Sequence, residues 1–512
     1  MRAEPGNDYG GNAALAAVLT VLALAGLAWG AGGLWIAKFE TDSLHLLDLV
    51  LRRAAGAAPH RDFMTPLGVL AYEPFAVLHR AGMGLGHAIA WGQVLVAALA
   101  APLAWWVAAS RLPGWLGVGF VLAVLLLVGG MVPGGLDPKI TIAMHYNRWA
   151  WGLAFVPLAI AALPARRESA LADGLAVGLA MAALALLKAT YFVAFAPAVI
   201  AGLLLRRQGR ALGVAVLAGL GVIALASMAY GLGFWAAYVA DLRAVAGSEV
   251  RAAPAGAALG NVLFAPRFLP ATMLALAVLV MLRLKARGEV TVLAVLALML
   301  PGAIYVTYQN YGNDPLWLIL PGVVLLALPP GGWRGAPLAG ALALAMIAPQ
   351  ALNIALSPLR QVSQPAAAYA ALFPGVAGRD DIRGVTARME TIAATVPLEG
   401  EGCTLTSGAV GMMRRQAAAL EAAGLAGERL LAADIFNFLW LFGDFPPLGG
   451  GAPWYYGGLP GGEGATLLVV PDCPADPGVS RAILAGVEAA GLAREAVLAT
   501  EDMQVFRLRQ LP

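Results

Sequence analysis

Charged residues make up only 12% of this chain, and many of them gather in polar segments between long apolar runs. The segments 37–85, 134–149 and 307–314 hold acids, bases and amides that could act on a substrate. A carboxylate can act as a general base toward a hydroxyl group, and a lysine or arginine can bind a phosphate. We predict three catalytic acids, Asp42, Asp62 and Asp137, and a larger set of substrate-binding residues, Lys139, His145, Arg148, Lys188, His60, Gln309 and Asn310.

Asp42 lies just beyond the end of the first apolar run, which places its carboxylate at the depth of the lipid headgroups. There it could bind a sugar hydroxyl or, if partly desolvated, act as a general base. The sequence "TDSL" also fits a helix start, with Thr41 or Asp42 as the N-cap of an amphipathic helix over 43–55. The two interpretations are compatible, and both stay open.

Lys188 ends the apolar run "GLAVGLAMAALALLK" and is followed almost at once by the run "YFVAFAPAVIAGLLL". The sequence therefore places a cation at the tip of a tight hairpin between two membrane spans. An ammonium group there could pair with a phosphate. The alternative is that the lysine reaches to the headgroup region only because its charge is solvated there.

All five histidines, at positions 45, 60, 79, 87 and 145, fall on or near the same predicted membrane face as these acids. Ionisable groups that face a cavity at a membrane surface are functional candidates. The alternative is that most of these side chains are interfacial anchors and helix caps.

Standard motifs for metals and nucleotides are missing from the sequence, which has no HExxH, no paired-cysteine motif and no EF-hand loop. A divalent cation held by Asp42, Asp137 or Glu73 is chemically possible. No Walker loop or strand-linked GxGxxG occurs, so we do not expect an ATP-driven or dinucleotide-dependent reaction. No basic tract suggests a nucleic-acid partner.

The elements that must position these residues are apolar, since 60% of the chain is hydrophobic and the mean hydropathy is +0.77. Runs of about 17–25 apolar residues can cross a bilayer core of roughly 30 Å as helices. We interpret the first run as a span, because it is too long for a signal peptide and lacks a clean cleavage site. The predicted fold is an α-helical polytopic membrane protein with about eleven spans: 13–36, 86–109, 114–133, 149–164, 170–187, 189–205, 211–232, 268–283, 290–307, 316–328 and 336–356.

Basic residues set the predicted orientation. The short loops 164–169, 206–210 and 283–289 are basic, and Arg111 and Arg334 fall on the same side when the spans alternate. Basic short loops stay in the cytoplasm. We therefore predict a cytoplasmic amino terminus and a carboxyl terminus outside the cytoplasm.

After about residue 357 the sequence becomes more polar and alternates between strand and helix patterns. The segments "CTLTSG", "RLLAADI", "TLLVVP" and "MQVFRLR" predict strands, and "RGVTARMETIAATV" and "SRAILAGVEAAGLA" predict helices. We predict a membrane domain over 1–356 and a small extracytoplasmic α/β domain over 357–512, with a Gly- and Pro-rich loop at 443–464. Cys403 and Cys473 either form a disulfide or remain two buried thiols.

The first polar loop carries a motif that resembles the GT-C glycosyltransferases of bacteria, near the dolichyl-phosphate-mannose mannosyltransferase-like group. The matching residues follow Asp42 and end in a glycine: Gly56, Pro59, Asp62, Phe63, Pro66 and Gly68. The hairpin "LLKATYF" at 186–192 is similar to the lysine-bearing hairpin of many such proteins. The resemblance covers the membrane half of the chain.

The resemblance implies a hexosyl- or pentosyltransferase in the bacterial cytoplasmic membrane. Such an enzyme would transfer a sugar, with inversion, from a polyprenyl-phosphate donor to an envelope glycan or lipid acceptor on the outer face. Asp42 matches the catalytic aspartate of the family. Asp137 is the only acid in the next outer loop and precedes Pro138, which leaves its equivalence to the family's second acid open. Lys139, Arg148 and Lys188 are the predicted cations for the leaving phosphate.

Three other functions stay open. A transporter or lipid flippase would need charged or broken spans near the midplane, whereas the ionisable residues here lie at span ends, with Asp173 as the nearest exception. A polysaccharide polymerase or ligase would use the same outer site with another donor. A non-catalytic scaffold could bind a partner through the aromatic residues of "GGGAPWYYGGLP".

Overall fold

Apolar helices make up most of the chain before residue 363, and strands are concentrated after it. The computed structural model describes residues 9–251, 258–286, 288–310, 314–329, 333–395 and 403–510. Its helices are α1 (Tyr9–Gly30), α2 (Glu40–Ala54), α3 (Glu73–Arg80), α4 (Leu85–Arg111), α5 (Gly114–Gly129), α6 (His145–Ala162), α7 (Ala170–Leu187), α8 (Ala189–Leu205), α9 (Gly209–Tyr230), α10 (Gly233–Ala246), α11 (Leu259–Phe264), α12 (Leu269–Lys285), α13 (Val290–Gln309), α14 (Ile319–Ala327), α15 (Ala336–Val362), α16 (Thr386–Glu390), α17 (Ala409–Ala422) and α18 (Pro477–Ala489). Its strands are β1 (Leu34–Ile36), β2 (Tyr369–Ala371), β3 (Ile382–Val385), β4 (Ala393–Thr395), β5 (Thr404–Ser407), β6 (Leu430–Ala432), β7 (Leu467–Pro471), β8 (Leu492–Ala499) and β9 (Met503–Gln510).

A helix overlaps each of the predicted spans. Among the described residues, six helices are long and apolar enough to cross a membrane, namely α1, α4, α7, α9, α13 and α15. Three shorter apolar helical segments are Gly114–Gly129, Ala189–Leu205 and Leu316–Ala327. The membrane character of the chain follows from these helices, and the number of spans stays a prediction.

The first predicted span, 13–36, extends past the end of its helix. Helix α1 ends at Gly30, and Gly32 and Gly33 then adopt positive φ angles of 61° and 133°. Glycine adopts such angles without steric cost. The chain leaves the helix there and continues as the short strand β1.

Helices α7 and α9 pack closely because small residues line their contact. A Cβ atom on Gly178 would lie 2.4 Å from the carbonyl oxygen of Ala215, and one on Gly174 would lie 2.6 Å from that of Ala211. This small-xxx-small spacing lets two backbones approach within a bilayer. Ser169 is the N-cap of helix α7, and its hydroxyl accepts a hydrogen bond from the Ala172 N–H at 3.2 Å.

A small sheet joins the first loop to the carboxy-terminal region. Strand β3 pairs in parallel with β1 and antiparallel with β2. Next to it, the Asp381 carboxylate accepts hydrogen bonds from the backbone N–H groups of Gly86 and His87, at 2.9 and 2.8 Å, and so caps the start of α4. Helix α15 runs past residue 357 to Val362. The division at 356/357 stays a prediction.

Helix α2 is held against the carboxy-terminal region by buried polar contacts. Arg52 donates to Asp48 at 2.6 Å and to the carbonyl oxygen of Leu448 at 2.7 Å. The Trp440 indole donates to the same Asp48 carboxylate. Burial raises the pKa of the Asp48 carboxyl, which the charge of Arg52 opposes. These contacts bury charged groups on a helix that the sequence presents as amphipathic.

The carboxy-terminal region forms a four-stranded mixed sheet with the order β6-β7-β9-β8. The four predicted strand segments contain β5, β6, β7 and β9, and "SRAILAGVEAAGLA" overlaps α18. Strand β8 was not predicted. Cys403 and Cys473 form a disulfide.

One predicted helix of this region is wrong. The segment "RGVTARMETIAATV" forms β3, the single turn α16 and β4. Pairing of β3 with β1 and of β4 with β5 supplies backbone hydrogen bonds near both ends of this segment. Its β-branched residues fit such a pleated surface, so the sheet overrides the helical pattern.

Candidate active site

A cavity of about 720 Å³ opens where helix ends, interhelical loops and the carboxy-terminal region meet. Four of the predicted site residues line it, Asp42, Asp137, Lys188 and Gln309. The lining segments all belong to the loops and span ends that the alternation of spans places on one face. The structure therefore gathers distant parts of the sequence around one polar space.

Asp42 lies in the first turn of α2 and does not cap it. The helix begins at Glu40, and its N-cap is Phe39, which adopts the left-handed conformation with φ 56° and makes no side-chain cap hydrogen bond. The predicted N-cap role of Thr41 or Asp42 is therefore wrong, because the helix starts before both residues. A carboxylate in the first turn is stabilised by the helix dipole. Asp42 lines the cavity from this first turn.

Asp137 forms an ion pair on the cavity wall. Its carboxylate accepts a hydrogen bond from Lys38 Nζ at 2.8 Å and another from the Lys139 backbone N–H at 3.1 Å. Burial raises the pKa of the Asp137 carboxyl, but the hydrogen bonds and charge of its neighbours outweigh this and lower the pKa overall. Asp137 is thus a stable anion. Lys139 itself does not line the cavity.

Lys188 is the single extended residue between α7 and α8, with φ −156° and ψ 101°. Its Nζ donates to Asn147 Oδ1 at 3.0 Å and to Asn310 Oδ1. The Asn310 amide in turn donates to the Tyr191 hydroxyl at 3.0 Å. These amide acceptors are neutral, so they orient the ammonium group without cancelling its charge. The side chain lines the cavity, and its role as a phosphate ligand stays a prediction.

Arg267 adds a cation that the sequence analysis missed. It lines the cavity, and its guanidinium donates to the Asp314 carboxylate. Asp314 is buried and also accepts a hydrogen bond from the Gly135 backbone N–H. Asp314 thus positions both the Arg267 side chain and the loop that carries Asp137. Of the predicted polar segment 307–314, residues 311–313 lie outside the described residues.

His60 and Asp62 do not reach the cavity. His60 is buried and pairs through Nδ1 with Asp241 at 2.8 Å. The Asp62 carboxylate accepts a hydrogen bond from the Ala58 N–H at 2.7 Å within its own loop. Both side chains hold the loop in shape, and the structure gives neither a contact with the cavity.

The motif around Asp62 shapes the cavity wall instead. The Gly68 N–H donates to the carbonyl oxygen of Leu187 at 3.1 Å, and a Cβ atom on Gly68 would lie 2.0 Å from the carbonyl oxygen of Leu186. Only glycine allows this approach to the end of α7. Pro66 and Leu67 then line the cavity beside Lys188.

His145 and Arg148 are buried behind the wall. His145 Nε2 lies 2.7 Å from the carbonyl oxygen of Ala71. Arg148 donates to the carbonyl oxygens of Gly130 and Ala143, at 3.0 and 3.2 Å. These contacts fix the loop before α6, and neither side chain lines the cavity.

Several cavity residues were missed by the sequence analysis, for different reasons. Phe39 and Met144 precede α2 and α6 with φ 56° and 55°, a conformation that non-glycine residues rarely adopt and that their residue types do not signal. Lys38 could have been found, since it follows the first apolar run closely. Other lining residues outside the predicted site set include Tyr146, Trp454 and Tyr456, and His45 was predicted only as one of the histidines on this face.

The sequence leaves a divalent cation chemically possible, and in the described ranges no group of three or more His, Cys, Asp or Glu residues could hold a metal ion. Of the acids considered for it, Glu73 pairs with Arg53 at 2.6 Å and with Arg80 at 3.2 Å. Asp137 pairs with Lys38.

Comparison of the chain with protein-family models and with curated proteins gives no match. Among solved structures, the chain is similar to the crystal structure of ArnT from Cupriavidus metallidurans bound to undecaprenyl phosphate. The sequence identity is 12% and the TM-score is 0.36, over 96% of this chain and 97% of that one. At that TM-score, the likeness assigns neither a fold family nor an activity.

Proposed function

We propose that this chain is a glycosyltransferase of the bacterial cytoplasmic membrane that transfers a sugar from a polyprenyl-phosphate donor to an envelope glycan or lipid acceptor. The observation that carries the proposal is that two acids and three cations line one cavity: Asp42, Asp137, Lys38, Lys188 and Arg267. The motif resemblance of the first loop supports the same reaction.

In the proposed reaction, an acceptor hydroxyl oxygen attacks the anomeric carbon from the side opposite the phosphate. The bond from that carbon to the phosphate oxygen breaks, and its electron pair leaves with the polyprenyl phosphate. The hydroxyl proton passes to the Asp42 carboxylate, which acts as the general base. The configuration at the anomeric carbon is therefore inverted.

Cations on the cavity wall would stabilise the leaving phosphate, which gains negative charge as the bond breaks. Lys188 and Arg267 are the best placed, because Asn147, Asn310 and Asp314 hold them in fixed positions before any substrate binds. Lys139 and Arg148 drop out of this role, since neither lines the cavity. Asp137 would keep its ion pair with Lys38 and could also accept a hydrogen bond from a sugar hydroxyl.

The position of the cavity at the helix ends suits a lipid-linked donor. The prenyl chain would lie among the apolar helices, while its phosphate would lie at the helix ends beside Lys188 and the start of α8. A helix N-terminus favours an anion, because its first N–H groups point outward. An outer-face site can use such a donor without ATP.

Reporter fusions test the proposed orientation. Helix α15 extends to Val362, so a reporter fused to the carboxyl end of the full chain reports the side on which this helix ends. We expect it to be active only outside the cytoplasm, and a fusion after Arg207 only inside. A cytoplasmic carboxyl end would refute the outer-face site.

A deletion strain tests the reaction itself. Mass spectrometry of lipid-linked sugars and envelope glycans should show accumulation of one polyprenyl-phosphate sugar and loss of one sugar from a glycan or lipid. The wild-type chain should restore both, and Asp42→Asn should restore neither at equal expression. Unchanged glycans, with uptake of labelled lipid-linked sugar by proteoliposomes, would indicate a transporter instead.

A further inference from the structure

The cavity has a second wall that the proposed reaction does not use. Trp454 and Tyr456 line it from the Gly- and Pro-rich loop 443–464, here called the aromatic loop. This loop belongs to the carboxy-terminal region, which follows the last apolar helix. The cavity therefore has cations on the side of the helix ends and aromatic rings on the side of the carboxy-terminal region.

Backbone hydrogen bonds fix the aromatic loop on both sides of its rings. The Asn437 N–H donates to the carbonyl oxygen of Pro453 at 3.0 Å, and the Tyr455 N–H donates to that of Ile435 at 2.9 Å. Farther back, the Gly450 N–H donates to the carbonyl oxygen of Asp62 at 2.7 Å. The loop is thus tied both to its own region and to the first polar loop, so its rings are positioned before a ligand binds.

The ring of Trp454 is packed on part of its surface and open to the cavity on another part. It meets Phe436 edge-on, with ring centroids 5.1 Å apart, and His45 in a tilted contact at 5.9 Å. Its exposure is intermediate, whereas Tyr456 is 5% exposed. His45 lies one turn along α2 from Asp42, and both line the cavity.

We propose that Trp454, with Tyr456 and His45 beside it, is the acceptor subsite and binds a pyranose ring, so that the acceptor is a glycan. This inference rests on the proposed function. A pyranose has a face of C–H groups that packs on a flat aromatic ring, while its hydroxyls point outward to polar partners. Trp454 offers such a platform beside His45 of α2. A hydroxyl of a sugar bound there would face the proposed base Asp42, which lines the same cavity.

The other apolar occupant to consider is the prenyl chain of the donor. Such a chain stays in contact with the hydrocarbon core, where the apolar helices are exposed. The aromatic loop instead packs on α2 and on loop 58–68, which lie outside the predicted spans. A sugar ring fits that position, and the prenyl chain does not.

Binding measurements on the purified full chain separate the two ligands. The probes are synthetic oligosaccharides of two to four pyranose units and, separately, undecaprenyl phosphate. Trp454→Ala should weaken the best oligosaccharide by about tenfold to a hundredfold, through loss of one ring's apolar contact. Trp454→Phe, which keeps a ring, should recover most of that binding. The matched control is Trp115→Ala, which removes an exposed indole at the start of α5 and should change nothing.

Undecaprenyl phosphate should bind wild type and Trp454→Ala equally. If Trp454→Ala binds the oligosaccharides with the same affinity as the wild type, the inference is wrong. It is also wrong if the wild type binds none of them. If Trp454→Ala loses undecaprenyl phosphate as well, the ring serves the donor and the inference is also wrong. If the wild type fails to bind undecaprenyl phosphate at all, the proposed function fails instead.

Discussion

The two ends of helix α7 carry charged residues in opposite circumstances. Asp173 lies in its first turn and Lys188 directly after its last residue, about 22 Å away at roughly 1.5 Å per residue. Asp173 is buried, and its carboxylate accepts two hydrogen bonds from Arg111 and one from the Trp106 indole, all at 2.7 Å. Lys188 is held by neutral amides on the wall of a cavity.

The difference shows how charged residues that stabilise the fold can be told apart from charged residues that could bind a ligand. Arg111 and Asp173 form a bidentate pair in which both side chains are buried, so neither is exposed to a ligand. At the other end, Lys188 lines a cavity, and Asn147 and Asn310 orient its ammonium group. Breaking a buried ion pair whose members satisfy each other destabilises the fold, whereas a charged group on a cavity wall lies within reach of a ligand.

The largest expected effect is at the cavity end, on catalysis. Asp42→Asn keeps the side-chain shape but cannot accept a proton. We expect the transfer rate to fall by about 10²–10⁴, the usual size of a general-base contribution. Loss of the first-turn charge should cost only about 0.3–1 kcal/mol of stability. The measurement is transfer by membranes that contain the donor lipid, normalised to folded protein.

Glu40→Gln is the matched control for that prediction. It removes another carboxylate from the first turn of α2, one that pairs with Arg388 at 2.6 Å and does not line the cavity. Its transfer rate should stay close to wild type. Full activity in Asp42→Asn would remove Asp42 from the mechanism and point to Asp137.

At the other end of α7 the expected effect is on stability. Asp173→Ala leaves the Arg111 guanidinium buried without its partner, and breaking a buried pair in this way costs about 3–5 kcal/mol. The yield of folded protein and its melting temperature should fall. The molecules that still fold should bind undecaprenyl phosphate as wild type does. A specific loss of that binding, with unchanged stability, would contradict the contrast between the two ends.

Lys188→Ala should weaken ligand binding and leave stability nearly unchanged, the reverse of Asp173→Ala. Its free-energy change should also be smaller. Removing one charge-assisted hydrogen bond costs roughly 1.5–3 kcal/mol, or about tenfold to over a hundredfold in affinity for undecaprenyl phosphate. The melting temperature should change little. Lys139→Ala, a nearby cation outside the cavity, is the control and should bind normally. Equal affinity in both variants would favour headgroup solvation as the role of Lys188.

The smallest expected effect is at the pair of Lys38 and Asp137, which is about one-third exposed on both sides. Lys38→Ala should change stability by less than about 1 kcal/mol. Because the folded pKa of Asp137 is lowered, its contribution is complete above the ordinary pKa of 3.8 and is lost as the pH falls through the lower, folded value. Melting curves between pH 7 and acid pH should show less acid loss in Lys38→Ala. An unchanged profile would exclude the pair as a source of acid sensitivity.

The helices were largely predictable because hydropathy is a local property. The predicted spans 170–187 and 189–205 match α7 and α8 residue for residue. Where the end of an element depends on distant contacts, prediction failed. The first run changes from helix to strand before Ile36 because β3, far along the chain, pairs with it.

The site was predictable only in part, for a related reason. Asp42 and Lys188 stand out because each interrupts or follows an apolar run. Arg267 and Trp454 reach the same cavity from segments whose proximity no local pattern records. His60 shows the converse error: its position in a polar motif suggested a ligand contact, but the fold uses it to hold a loop through Asp241.

The parallel pairing of β1 with β3 also sets an order in time. Leu34 and its partner Ile382 are separated by most of the chain. At about 5–20 residues per second, the ribosome needs roughly 17–70 s to make the intervening chain. During that interval β1 lacks its partner strand, and Trp454 and Tyr456 do not yet exist to complete the cavity. A partly made chain therefore cannot assemble this cavity, which is complete only once the last quarter of the chain has been made.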